Sequence, residues 1–355
     1  MKNSEKIDVL CVANYAAESS MLRRAILSQG DLIDGSFLKP FYYSIGDTKG
    51  AVILINSSNL DVSHSSGIKP AREQFVKALD YIVPVNPKMV VLLAAGLKRL
   101  FGRYLEEEIG TMVDGTGMIV EAKQTLRERY PEVLFTNGDN GTSALFIEEV
   151  KEIIKKAGIR RNMGKIGILG AGLLGTDVLR FLMSEDLADY QINVISSYTK
   201  ELRSIINSER NIDVFENLDD VDKKIDFMIC CTNTKSLTAK LVDSLSIKYV
   251  LDVSVPPAFV EREYFKAKNV YRRDAGNAYN IDLEYCFDPS IIDLSLNNMF
   301  GCFAEASSLA HSYNEKFFDL DLFTVNDEAK KIISVLFKKA NFSTHPKPLC
   351  FGREI

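Results

Sequence analysis

Through the first 157 residues, short apolar runs of strand length alternate with stretches whose apolar positions recur at helical spacing. The run "KIDVLCVA" predicts a strand, and "SSMLRRAILSQG" predicts a helix stopped by glycine. "FYYSIGDTKGAVILIN" reads as a β-hairpin, with Asp47 to Gly50 supplying its turn. "KPAREQFVKALDYIV" predicts a helix opened by proline. "KMVVLLAAG" and "VLFTNGD" predict two further strands, and "TSALFIEEVKEIIKKAG" a helix.

Beyond the turn "GIRRNMGK" the pattern becomes a regular alternation. The strands "KIGILG", "INVISS", "IDFMICCTN", "KYVLDVSV" and "KNVYRRD" are separated by helical stretches such as "GTDVLRFLMSED" and "KELRSIINSER". Such alternation predicts a parallel sheet covered by helices. After residue 290 the pattern is helical again, and "STHPKPLCFGREI" closes the chain as a short tail. The expected class is α/β, with an N-terminal α/β substrate domain over 1–157, a dinucleotide-binding domain over 158–289 and C-terminal helices over 290–355 that pack back between the two.

A chain of 355 residues exceeds one core of typical size, which agrees with that division. Composition is that of an ordinary soluble protein, with 46% hydrophobic and 26% charged residues. A formal charge of −5 argues against a general nucleic-acid binder, since phosphate contacts need an excess of cations. No apolar run reaches the ~18 residues of a membrane span, and the N-terminus reads as a first strand rather than a secretion signal. Six cysteines without a CxxC pair, and three scattered histidines (His64, His311, His345), leave no zinc spacing and predict reduced thiols in a cytoplasm.

The strongest local motif is "KIGILGAGLLGTDVLRFL", in which Gly170, Gly172 and Gly175 form GxGxxG between an apolar strand and an amphipathic helix. In that setting the first glycine permits a tight turn, the second lets backbone approach a pyrophosphate, and the third lets helix and strand pack closely. Ala171, Leu173 and Leu174 complete the turn, and the helix start offers its N–H groups to phosphate. This predicts a Rossmann-type domain for a nicotinamide dinucleotide.

The second strand ends without an acid to hold a ribose 2′-hydroxyl before Glu201. Instead Ser196, Ser197, Tyr198, Thr199, Lys200 and Arg203 follow, hydroxyls and cations suited to a 2′-phosphate, so NADPH is expected over NADH. Thr199 also reads as a helix N-cap. The ends of later strands bring Thr232, Asn233, Val253, Ser254 and Gly276 toward the nicotinamide, while Cys230 and Cys231 read as small hydrophobes.

Cys302 follows a glycine at the predicted opening turn of a helix, in "NNMFGCFAEASSLAH". By itself it reads either as a buried cysteine of an amphipathic helix or as a thiolate whose pKa the helix start depresses. The segment "NMFGCFAEA" resembles the nucleophile segment of the aldehyde-forming, cyanobacterial-type long-chain acyl-carrier-protein reductases. "FTNGDNGTSA", Phe135 to Ala144, is similar to that family's region before the dinucleotide domain, and "VLDVSVPPAFVE" and "GNAYNIDLEYCFD" stand near two of its loops. The resemblance spans most of residues 40–345. It departs at Asp139–Asn140–Gly141, at Lys98 and Arg99, and in the polar "SSLAHSYN".

The resemblance implies NADPH-dependent reduction of an acyl thioester to an aldehyde, through an acyl group held on Cys302. Phe303, Ala306, Asn137 and Lys98 would be substrate or oxyanion contacts, and Glu305 an orienting or structural carboxylate. The implied partner is an acyl carrier protein or coenzyme A thioester, docked on a local basic patch such as Arg103, Lys155, Lys156, Arg160 and Arg161. A downstream aldehyde-consuming enzyme would follow. Two other readings use the same order of parts: a shikimate- or quinate-type dehydrogenase, which needs no cysteine, and a non-catalytic dinucleotide-binding regulator.

Overall fold

The computed structural model describes residues 6–15, 32–58, 61–93, 98–102, 104–109, 112–113, 119–120, 124–159, 164–184, 190–206, 211–221, 224–292 and 294–354. The predicted helix "SSMLRRAILSQG" lies outside them. The chain forms two units: residues up to Gly141 with Asn280–Phe342, and Thr142–Tyr279 with Ser343 onward.

In the first unit the main strands lie in the order Leu283–Tyr285, Phe41–Ile45, Thr48–Ser58, Val9–Tyr15, Val90–Leu93, Leu134–Thr136. The last four run parallel, and the first two pair antiparallel. Alternation sorts the central strands by face. Leu10, Val12, Ile53, Ile55, Val91 and Leu93 join a core with Phe75, Leu79 and Ile82 of the helix Ser65–Ile82. That helix starts five residues before Pro70, which was expected to open it. The helix Gly301–His311 packs on the strands Val9–Tyr15, Thr48–Ser58 and Val90–Leu93.

The hairpin forms, but its turn is tighter than predicted. Ile45 pairs with Thr48, so Gly46 (φ +54°) and Asp47 make the whole loop. Gly50 therefore lies within a strand, opposite Tyr43. A Cβ there would stand 2.0 Å from Tyr43 Cζ, so the buried phenol ring occupies the space a side chain would need.

Among the described residues the main sheet of the second unit has six strands, all parallel: Lys165–Leu169, Gln191–Ile195, Ile212–Phe215, Phe227–Cys230, Tyr249–Asp252 and Tyr271–Asp274. Counted along the chain, their order in the sheet is 3-2-1-4-5-6. Ile166, Ile168, Phe227 and Ile229 enter one core with Phe146, Val150 and Ile153 of the helix Asp139–Lys156 and with Val178, Leu179 and Leu182. Leu169, Met228, Cys230 and Val250 enter a second core with Val242, Leu245 and Phe259. Two separate cores fed by alternate residues mean helices on both faces. This is the doubly wound, Rossmann-type α/β arrangement.

The division of the chain differs from the sequence expectation. It falls between Gly141 and Thr142, inside one continuous helix, because the apolar face of that helix from Phe146 onward is buried in the second unit. The helices Gly301–His311 and Asp327–Lys339 belong to the first unit, whereas the tail from Ser343 belongs to the second. There Ser343–Thr344 pairs with Ala278 and Tyr279, and Leu349–Cys350 with Arg353–Glu354. Among the described residues no helix is long and apolar enough to cross a membrane.

The Tyr43–Gly50 packing gives a direct test. Gly50→Ala is expected to lower stability by about 1–3 kcal/mol, the range for overpacking a well-filled core, seen as an earlier urea midpoint. An unchanged midpoint would contradict the packing described.

Candidate functional site

At the carboxyl end of the second unit's first strand the chain makes two close backbone approaches, at the first and third of the three glycines. Gly170 has φ +92°, and a Cβ on it would stand 2.6 Å from the carbonyl oxygen of Cys231. A Cβ on Gly175 would stand 2.0 Å from the carbonyl oxygen of Gly170. Both glycines are thus required by the fold itself. Gly172 is not: its φ lies outside the left-handed region, and a Cβ there would meet nothing within 4 Å. It is exposed, at the start of the helix Leu173–Ser184. The first N–H groups of such a helix have no partner within it and carry the positive end of the dipole.

Neighbouring positions form a shelf around this turn. Ala171 is buried, Leu173 exposed and Leu174 half-buried. Ser196 is buried, and its Oγ accepts the Tyr198 N–H at 3.1 Å, shaping the turn after the second strand. Ser197, Tyr198, Lys200 and Arg203 are exposed, and Thr199 opens the short helix Thr199–Ile205. Its N-cap is Tyr198, so Thr199 does not cap it.

Thr232 is half-buried and Asn233 exposed. The Thr232 N–H donates to Ser254 Oγ at 3.1 Å, and Val253 is half-buried. Gly276 packs against Val253. It is buried, its φ is +71°, and its N–H donates to Glu149 Oε2 at 2.7 Å. A Cβ on Gly276 would sit 2.9 Å from both Thr142 and Val253, so its backbone is committed to packing. Burial pushes the Glu149 carboxyl up to about 8, against Arg273 and the Gly276 N–H, which favour its charged form.

In the first unit, Cys302 is half-buried in the opening turn of Gly301–His311. It faces Gly138 (φ +71°), where a Cβ would stand 2.2 Å from Cys302 Cβ. Glu305, fully buried, accepts the Thr136 hydroxyl and the Gly141 N–H, each at 2.5 Å. Its carboxylate therefore caps the helix Asp139–Lys156. Asn137 is also spent on structure: its Nδ2 donates to the Phe323 carbonyl at 2.8 Å, and its Oδ1 accepts the Asp139 N–H at 3.0 Å. Phe303 and Ala306 are buried. The side chain of Lys98 lies outside the described residues, as do Arg103, Arg160 and Arg161. Lys155 and Lys156 close the helix Asp139–Lys156, and Lys156 Nζ sits 4.1 Å from the centroid of the Tyr271 ring.

The Cys302 thiol is the reverse of the activated group expected. Burial pushes its pKa up to about 12, and the Asp139 and Glu305 carboxylates push the same way. The helix-start N–H groups of Cys302 and Phe303 offset only part of this.

No family model matches the chain, and no curated protein matches it. Among solved structures, L-tryptophan dehydrogenase from Nostoc punctiforme is similar at 10% identity and a TM-score of 0.39, over 95% of this chain and 89% of that one. Shikimate dehydrogenase from Thermotoga maritima is similar at 11% identity and a TM-score of 0.35, over 92% and 99%. The hetero-hexameric glutamate dehydrogenase from Thermus thermophilus is similar at 12% identity and a TM-score of 0.43, over 94% and 74%. Likeness at this level carries neither substrate nor activity across.

The acyl-carrier-protein reductase expectation is nonetheless overturned. Those similar structures are amino-acid and shikimate dehydrogenases, not reductases of that class. With it fall the thioester donor, the fatty aldehyde product and the covalent role of Cys302. The thiol's protonated state agrees with that correction.

Sequence reading missed the buried charges behind the shelf. Arg272 and Arg273 are 1% and 2% exposed, paired with Asp252 and Asp274, and with Glu149 and Glu152. The signal was present in "YRRD", two adjacent arginines within a strand, whose side chains must enter opposite faces of the sheet.

The raised thiol pKa fixes a pH dependence. Alkylation of Cys302 by iodoacetamide, followed by peptide mapping, is expected to rise about tenfold per pH unit from pH 7 to 10 without levelling, as for a thiol titrating above that range. A plateau below pH 8 would mean a thiolate and contradict the site described.

Proposed function

We propose that the chain is an NAD(P)-dependent dehydrogenase of the shikimate/quinate kind, acting on a small hydroxy acid. The observation that carries the cofactor part is Gly172. The fold explains the glycines on either side of it and leaves this one bare, at a helix start, with open space where a Cβ would point. A bare backbone at that place is what close approach of a pyrophosphate needs. Gly172, Leu173, Leu174 and Gly175 would hold the pyrophosphate, with Thr232 and Asn233 beside it. When bound, the nicotinamide would exchange a hydride with the carbinol carbon.

Alcohol–ketone chemistry of this kind forms no covalent intermediate, so a protonated Cys302 fits it. The helix-capping role of Glu305 and the committed amide of Asn137 likewise leave the first unit with a rigid scaffold at the carboxyl end of its parallel strands.

For the choice between dinucleotides we favour NADPH. No acid stands at the end of the strand Gln191–Ile195, and Ser197, Lys200 and Arg203 are exposed just beyond it. Two cations and a hydroxyl suit a 2′-phosphate, for which a carboxylate there would be repulsive.

The test is a fluorescence titration with NADPH and NADH, followed by turnover on a panel of hydroxy acids. Wild type should bind NADPH more tightly, and a hydroxy acid should reduce NADP⁺. Gly172→Val is expected to weaken binding by about 100-fold or more, because its side chain occupies the phosphate approach, while the melting temperature stays near wild type. Cofactor binding without turnover on any panel member would favour a non-catalytic dinucleotide binder. No binding of either dinucleotide would refute the proposal.

A separate prediction concerns the phosphate shelf. Replacing both Lys200 and Arg203 by glutamate should cut the NADPH-over-NADH preference by about tenfold or more, since each charge-assisted contact to phosphate is worth about 1.5–3 kcal/mol. An unchanged ratio of the two dissociation constants would place the 2′-phosphate elsewhere.

A further inference from the structure

The sixth strand of the second unit holds a buried arginine that the glycine turn does not account for. Arg272 is 1% exposed. Its Nη2 donates to Asp252 Oδ2 at 3.1 Å, and its Nη1 to Asp274 Oδ1. The remaining face of the guanidinium is covered by Phe351, with 3.8 Å from Cζ to the ring centroid. Phe351 stands at the tip of the hairpin formed by Leu349–Cys350 and Arg353–Glu354. The next residue, Gly352, donates its N–H to Asp274 Oδ2 at 2.7 Å. A guanidinium suits this place because it offers several donors in one plane and a flat face for stacking.

Asp252 carries the contact onward. Its Oδ2 also accepts the Phe259 N–H at 3.3 Å, and its Oδ1 accepts the Ser254 N–H at 3.1 Å. Ser254 Oγ in turn accepts the Thr232 N–H at 3.1 Å. Thr232 Cα lies 3.0 Å from the place a Cβ on Gly170 would take. Contacts therefore run without a break from the C-terminal hairpin, through Arg272 and Asp252, to the loops after the fourth and fifth strands and the glycine turn. Both loops lie at the carboxyl ends of their strands, and the fourth strand stands beside the first at the point where strand order reverses.

We propose that the C-terminal hairpin is a clamp on the dinucleotide site, with Phe351, Arg272 and Asp252 acting as positioning residues for the loops that hold Thr232 and Ser254. The proposal rests on the dinucleotide reading given above. Phe351 covers the guanidinium that holds Asp252, so lifting the hairpin opens that buried ion pair to water and loosens Asp252, the Ser254 and Phe259 amides bonded to it and, through Ser254 Oγ, the Thr232 amide.

The experiment uses the full chain and two readouts, amide hydrogen exchange without cofactor and NADPH affinity. In Phe351→Ala the amides of Thr232, Ser254 and Phe259 should exchange at least tenfold faster, while those of Val9–Tyr15 in the first unit keep their wild-type rates. NADPH should bind at least fivefold more weakly. Phe351→Tyr should restore both readouts to within twofold of wild type, and Arg272→Lys should restore neither. In a Ser254→Ala background Phe351→Ala should add less than twofold to the loss of affinity, since the path is already cut.

Exchange at the three amides unchanged in Phe351→Ala would overturn the clamp. So would acceleration spread evenly over both units, or an affinity loss equally large in the Ser254→Ala background. Should wild type bind neither dinucleotide, the exchange rates still decide the clamp, and the failure belongs to the dinucleotide reading alone.

Discussion

The second unit depends on the collision between backbones at Gly170. There the first strand turns into its helix so close to the end of the fourth strand that a single methyl would strike the carbonyl of Cys231. Five residues later the helix returns so tightly that a methyl on Gly175 would strike the carbonyl of Gly170. These two contacts fix the helix start over the reversal point of the strand order, and that placement leaves the backbone of Gly172 open to the outside. The dinucleotide reading, the shelf of hydroxyls and cations after the second strand, and the clamp behind the fourth and fifth strands all take their positions from it.

The first unit obeys a similar constraint with a different result. Gly138 lets the helix starting at Asp139 come against the opening turn of Gly301–His311, so closely that Cys302 fills the place a side chain would have. Capping of the longer helix falls to a carboxylate from the shorter one, Glu305, with Thr136 as its second partner. Burial raises the Cys302 pKa, and the neighbouring carboxylates push it the same way. The feature that made Cys302 look like a nucleophile, its place at a helix start, is outweighed first by burial and then by the Asp139 and Glu305 carboxylates.

Much of the second unit was legible from the chain. Alternating strands and helices, and glycines spaced between a strand and a helix, are local patterns, and the structure follows them. The division of the chain was not legible, because Asp139–Lys156 is a single amphipathic helix with no break at residue 141. Which core buries its face is decided by residues far away in sequence. The hairpin turn was misplaced by reading Gly50 as a turn residue, when it is a strand residue facing the Tyr43 ring. The burial that raises the Cys302 pKa, and the approach of Asp139 to it, arise only through the fold. Nothing local in "KNVYRRD" shows the partners of Arg272, and the return of the C-terminal tail supplies the ring that covers it.

The most direct measurement is a crystal structure of the chain grown with saturating NADPH. The account predicts the pyrophosphate within hydrogen-bond reach of the backbone N–H groups from Gly172 to Gly175, with the ribose phosphate over Ser197, Lys200 and Arg203. Density for the dinucleotide at any other place, or a glycine turn left bare at saturating cofactor, would contradict it.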